Sequence, residues 1–133
     1  MNTIKGEITA ITVKGSLSLV NVNINDIKLS AIIIDTPDTA PYLQVGKNVN
    51  VIFKETEVIL TTDGDPQISL QNRLPGNIES IEEGSLLSKV VLDTQAGVIT
   101  SIITTNAVNQ LKLKRGYRAT AMIKTNEMML SEW

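Results

Sequence analysis

Apolar and polar side chains alternate with a period of two over residues 18 to 24: Ser18, Val20, Val22 and Ile24 fall on one side of an extended segment, Leu19, Asn21 and Asn23 on the other. That pattern predicts a strand with one face in a core and one in solvent. The same alternation returns in Ser88, Val90 and Leu92 against Lys89, Val91 and Asp93. Gln95-Ala96-Gly97 then predicts a turn into a further strand over Val98 to Thr104, making a hairpin. Val49, Val51 and Phe53 alternate again, as do Ala119, Ala121 and Ile123. Each of these runs meets a tight reversal, at Glu55-Thr56 and Thr125-Asn126, before a last strand.

The paired patterns are one motif written twice. Sliding the chain against itself by 70 residues sets Asn2 on Asn72, Gly6 on Gly76, Ile8 on Ile78, Ser18 on Ser88, Gly46 on Gly116, Lys54 on Lys124 and Glu57 on Glu127, with no gap. Two unrelated aliphatic strand sequences would match at Val and Ile, but not also at both glycines and a Lys-x-x-Glu, so the repeat is a duplication. TTDGDPQ, Thr61 to Gln67, is dense in strand-breaking residues and joins the copies. The chain thus divides into a first repeat (1–62), a linker (63–68) and a second repeat (69–133). A seven-residue connection reaches at most about 25 Å, which keeps the copies near one another.

One segment per copy departs from the β pattern, Asp35 to Leu43 and Thr105 to Leu113, where Asp35, Thr36 or Asn106 predicts a helix cap. Pro37 suits a first helical turn, and Pro41 limits the first copy to about one turn. Five strands per copy, with a short helix between the third and fourth, is the order of an OB-like barrel. The expected fold is all-β: two tandem five-stranded OB-like barrels, each with one short helix.

Composition narrows the chemistry. Hydrophobic residues make up 42% of the chain and aromatic ones 3%, so the core is aliphatic. A unit of roughly sixty residues is marginal alone, which predicts that the copies pack together or that the chain forms a homo-oligomer. A net charge of -2 offers no basic footprint for nucleic acid. The few aromatic candidates for stacking single-stranded bases, Tyr42, Tyr117 and Trp133, are scattered, and Tyr42 and Tyr117 are not equivalent in the repeat. Absence of Cys and His removes thiol nucleophiles, disulfides, zinc sites and histidine acid-base chemistry. Carboxylates do not replace them: Glu82 and Glu83 are neighbours on a strand and point to opposite faces, and Asp63 and Asp65 sit in the linker. Gly46-Lys47-Asn48 lacks the rest of a phosphate loop. No enzyme is expected, nor a membrane span or signal segment, and a cytoplasmic location follows as an expectation. What remains is capture of a small anion by hydroxyls, amides and one or two cations. Lys54 and Lys124 precede equivalent turns, and Ser69, Gln71, Asn72 and Arg73 gather donors ahead of Gly76.

The runs Ser69-Leu70-Gln71-Asn72-Arg73-Leu74-Pro75-Gly76, Ile81-Glu82-Glu83-Gly84 and Ile123-Lys124-Thr125-Asn126-Glu127 resemble the Mop, or TOBE, molybdate-binding family, and the doubled motif is similar to its tandem, molbindin-type members. The resemblance implies non-catalytic cytoplasmic binding of molybdate or tungstate for storage or homeostasis, with no other cofactor. It also implies a homo-oligomer, a trimer by preference, with oxyanion sites between subunits. Carried over by position, the motif serine is Ser69, the threonine after the third strand is Thr104 and the turn lysine is Lys124, with the Thr125 amide as a further donor and Lys54 as the first-copy counterpart. The motif arginine position holds Gln71, and Arg73, two residues on, shares its face. The sequence departs from the pattern at Ala107, where a serine is expected, and at Ile34, which stands in the first copy where the second has Thr104. These departures support an alternative within the same fold, a ligand-sensing or regulatory module with weakened or changed anion specificity.

Overall fold

The structure, a computed structural model, describes Met1–Trp133. The first copy supplies β1 (Asn2–Lys14), β2 (Leu17–Ile24), β3 (Ile27–Ile33), β4 (Asn48–Phe53) and β5 (Ile59–Thr61). The second supplies β6 (Asn72–Glu83), β7 (Leu87–Thr94), β8 (Gly97–Thr104), a helix α1 (Thr105–Gln110), β9 (Arg118–Ile123) and β10 (Met129–Glu132). Single 3-10 turns, Glu55–Glu57 and Thr125–Glu127, occupy the two expected reversals.

The strands form two five-stranded sheets, ordered β10-β4-β1-β2-β3 and β5-β9-β6-β7-β8. Each sheet therefore takes four strands from one copy and its fifth from the other. Met129↔Ile52 and Glu132↔Val49 fix β10 on β4, while Ile59↔Met122 and Thr61↔Thr120 fix β5 on β9. Repeat boundaries at 1–62 and 69–133 describe the duplication, but the sheets cross them.

Burial follows the alternation read from the sequence: Val20, Val22, Ile24, Val49, Val51, Phe53, Val90 and Leu92 are all buried. They join residues of both copies in one aliphatic cluster. A single core thus serves both sheets, and apolar area from each copy stabilises the other.

Side chains lace the two copies with a two-fold symmetry that follows the repeat. Asn2 donates to Thr100 O and accepts from Thr100 N, both at 2.8 Å. Its counterpart Asn72 donates to Ser30 O at 2.8 Å and accepts from Ser30 N at 2.7 Å. Each asparagine amide thus pairs with a strand backbone of the opposite sheet as another strand would. Where the two hairpin turns meet, Asn25 Nδ2 donates to Gln95 O at 3.1 Å and Gln95 Nε2 to Asn25 O at 2.6 Å.

The repeated glycines mark a close approach. A Cβ on Gly6 would lie 2.5 Å from Ile24 Cγ1, and one on Gly76 2.5 Å from the Asp93 carbonyl oxygen. Side-chain-free positions on β1 and β6 thus let β2 and β7 come near.

The copies differ in the segment after the third strand. Thr104, not Asn106, caps α1, its hydroxyl oxygen accepting from Ala107 N at 3.1 Å. The first copy has no helix there, contrary to the expectation of one in each. Pro37 and Pro41 leave hydrogen-bonded turns, with Thr39 Oγ1 accepting from Thr36 N at 2.9 Å and Ala40 N donating to Thr36 O at 2.8 Å. The core records the difference: Ser88 Oγ pairs with Thr105 Oγ1 at 2.7 Å, whereas the Ser18 hydroxyl, in the equivalent place, is buried without a protein partner.

Candidate functional site

Strand exchange decides which candidate groups meet. The chain must pass through the 3-10 turn of one copy to deliver its last strand to the other, so each turn packs on the third strand of the opposite copy. Thr125–Glu127 lies against β3, and Glu55–Glu57 lies against β8. Lys124 and Thr104, which share a repeat, consequently fall in different places.

The first place is built on Lys124 and Thr125. Asn72 pairs with Ile123, and continuing that antiparallel register sets Gln71 level with Lys124, with Ser69 at a bend two residues before it. Lys124, Gln71 and Ser69 are exposed and Thr125 is half-buried. Beside this turn a groove of about 520 Å³ is lined by Leu17, Ile34, Tyr42, Asn126 and Met129 among others. Ile34, 81% exposed, presents a bare aliphatic chain where the repeat has Thr104.

The second place is built on Lys54 and its turn. Here β8 ends in Thr104, whose hydroxyl oxygen accepts the helix-capping bond from Ala107 N. Lys54 and Thr104 are exposed. Beside Lys54 the amino terminus of Met1 forms an ion pair with the Glu55 carboxylate at 2.7 Å. Sequence reading missed this pair, although the repeat carries the signal: Glu55 stands opposite the uncharged Thr125, and Met1 opposite Gln71. The hydrogen bond from the Met1 ammonium, then one from the backbone amide of Glu55, hold this carboxyl below its ordinary range, and the Lys89 charge adds to the effect.

Arg73 belongs to neither place. Its Nε donates to Leu70 O at 2.9 Å and its Nη2 to Pro66 O at 2.9 Å and Ile68 O at 3.1 Å, while Nη1 meets the Asp65 carboxylate at 3.2 Å. The guanidinium fork gathers the linker against β6. Leu70 and Met122 are buried but stand apart from the main core.

Tyr42 ties the first copy's loop to the exchanged strand, its hydroxyl donating to Leu130 O at 3.2 Å. Partial burial, followed by the nearby charges of Asp35 and Glu132, raises its phenol above the ordinary tyrosine value. No group of three or more carboxylates is placed to hold a metal ion, and no helix is long and apolar enough to cross a membrane.

Comparison with known proteins agrees with this architecture. The molybdate-bound structure of the cytoplasmic molybdate-binding protein ModG superposes with a TM-score of 0.93 at 32% identity, covering 99% of this chain and 96% of that one. The molybdenum transport protein ModE of Azotobacter vinelandii is 26% identical over 132 residues, 98% of this chain and 49% of its own length. ModE of Herbaspirillum seropedicae is 32% identical over 91 residues, 67% of this chain and 34% of its own. The chain thus aligns with a third to a half of the ModE proteins. Molybdenum-pterin-binding protein 1 of Clostridium pasteurianum is 38% identical over 64 residues, 47% of this chain but 94% of its own length, so that protein corresponds to one copy. These proteins are named for binding or transport. The TOBE domain matches residues 1–60 and again 68–130, and the chain is a tandem member of the TOBE family.

Proposed function

We propose that this protein binds molybdate or tungstate without catalysis, as a cytoplasmic store or buffer of the oxyanion. The observation that carries the reading is the likeness to molybdate-bound ModG, which runs through 99% of the chain and both copies. Chemistry supports it. A tetrahedral dianion needs several donors and a cation, and Lys124 with the Thr125 amide, Gln71 and Ser69 supplies an ammonium, a backbone N–H, a carboxamide and a hydroxyl at one turn. At the other turn, where Glu55 stands in place of Thr125, Thr104 and Lys54 form no comparable set, and Arg73 contributes through the linker it positions.

Both places are open on a single chain. A desolvated oxyanion requires a cover, and the apolar residues around the two turns and nearby strand ends suit one: Ile34 is 81% exposed, Leu86 79%, Leu87 56% and Ile59 49%. Exposed apolar side chains beside an open polar turn suit an association site. The protein on this reading is a homo-oligomer, with a trimer the favoured form, whose subunit seams close over the anion. No nucleic acid or membrane partner is invoked.

Isothermal titration with molybdate, tungstate, sulfate and phosphate tests the proposal. Molybdate and tungstate bind, and Lys124→Ala weakens them by about ten- to a hundredfold, the worth of a hydrogen bond to a charged group. No heat from any of the four anions at millimolar concentration refutes the function, and unchanged affinity in Lys124→Ala refutes the site. Ile34 and Ala107, apolar where donors were expected, favour a second reading, a sensing or regulatory module of the same fold with altered anion preference. Preference for sulfate or phosphate over molybdate would support that reading.

A further inference from the structure

The two turns are related by the repeat, yet their charges differ. Lys54 and Lys124 correspond, but the next residue is Glu55 in one copy and Thr125 in the other. Around Glu55 the structure sets the Met1 ammonium at 2.7 Å, the Glu55 backbone amide and the Lys89 charge from β7, all of which favour an anion; Lys54 is the preceding residue in the chain. The Glu55 carboxylate is the anion that uses them. At Thr125 no side-chain charge occupies the corresponding position.

We propose that Glu55 is a built-in carboxylate standing in for the oxyanion at the first copy's turn, so that oxyanion capture runs through the Lys124–Thr125 turn alone. This rests on the oxyanion-binding function proposed above and adds the residue that decides which of two related turns is used. The physical reason is direct. A dianion arriving beside Lys54 must either displace the carboxylate from its ammonium or sit next to it as a like charge, and both are unfavourable. Tethering in the same chain gives Glu55 a local concentration that millimolar free anion does not exceed. Glu55 is thereby a specificity-determining residue, because it leaves the chain with one working turn of two.

The test is titration of the full chain with sodium molybdate, reading the number of anions bound per chain. In the wild type, Lys54→Ala leaves stoichiometry and affinity unchanged. Glu55→Thr, which installs the residue already present at the second turn, raises the number bound per chain, and adding Lys54→Ala to it removes the gain. Glu55→Gln, closest to the native shape, gives the same direction of change and guards against misfolding of the threonine variant. Unaltered stoichiometry in both Glu55 variants overturns the inference while leaving the binding function standing, as does a wild-type loss of binding on Lys54→Ala. A wild-type protein that binds no molybdate overturns both.

Discussion

Replacing Asn72 with Ala tests whether the asparagine pair joins the two copies energetically as well as geometrically. Asn72 is 1% exposed and makes two hydrogen bonds to the Ser30 backbone, at 2.7 and 2.8 Å. Alanine removes both and leaves the Ser30 N–H and C=O without the amide that pairs them. An intramolecular hydrogen bond contributes about 1 kcal/mol net, and a buried group left unsatisfied costs about 1–3 kcal/mol. Ser30 is only half-buried, so water recovers part of the loss, and the expected destabilisation is about 2–4 kcal/mol. Against the 5–15 kcal/mol that typically stabilises a native domain, such a loss is large. Urea unfolding with linear extrapolation measures it, with an unchanged slope showing that the compactness of the two states is preserved. Asn2→Ala, at a residue 7% exposed and with the same pair of bonds to Thr100, moves the midpoint in the same direction by a smaller amount. Asn77→Ala, at an exposed residue holding only a 3.4 Å bond from Arg118, serves as the control and stays within about 0.5 kcal/mol. Should Asn72→Ala cost no more than this control, the bonds are incidental and the copies are held by apolar burial alone.

Two further outcomes follow from local geometry. Gly76→Ala drives a Cβ to 2.5 Å from the Asp93 carbonyl, which is backbone and cannot swing aside, so the variant loses about 1–3 kcal/mol in the same urea assay; a neutral result refutes the close-approach reading of both glycines. In a Tyr117→Phe background, absorbance titration of the one remaining tyrosine, Tyr42, places its midpoint above the ordinary value of 10.0. Its stabilising effect is present below that pH and is lost as pH rises through the folded value, and a midpoint at or below 10.0 refutes the burial and charge assigned to this phenol.

Much of this architecture was legible from residue pattern. Alternation marked Val20, Val22, Val90 and Leu92 as core, and the offset of Gly6 from Gly76 revealed the duplication, because both signals are local. The exchange of β5 and β10 was not legible. The two strands occupy equivalent positions in the repeat, so either pairing satisfies the same hydrophobic pattern, and only tertiary structure selects between them. The position of the candidate ligands within one chain was hidden for the same reason: Thr104 and Lys124 share a copy in sequence but lie at different turns once the last strands cross over. Arg73 looked like an anion ligand because a guanidinium suits anions, yet the carbonyls of Pro66, Ile68 and Leu70 use the same donors. The helix expected at Pro37 was absent because short-helix signals are weak beside a second proline at Pro41.

The crossing of β5 and β10 between sheets makes this chain, in effect, its own dimer. Each copy finishes the other, as the halves of a swapped pair of subunits would, but the linker at residues 63–68 turns an encounter between molecules into one within a molecule. The joining of halves is therefore independent of protein concentration, and dilution dissociates only assembly at a higher level. Partnership is also fixed: the two halves are synthesised in equal amounts and cannot be exchanged for a foreign copy. Within that enforced pairing one copy can drift from its sister, as Ile34 and Glu55 have from Thr104 and Thr125, while the shared core keeps the whole intact.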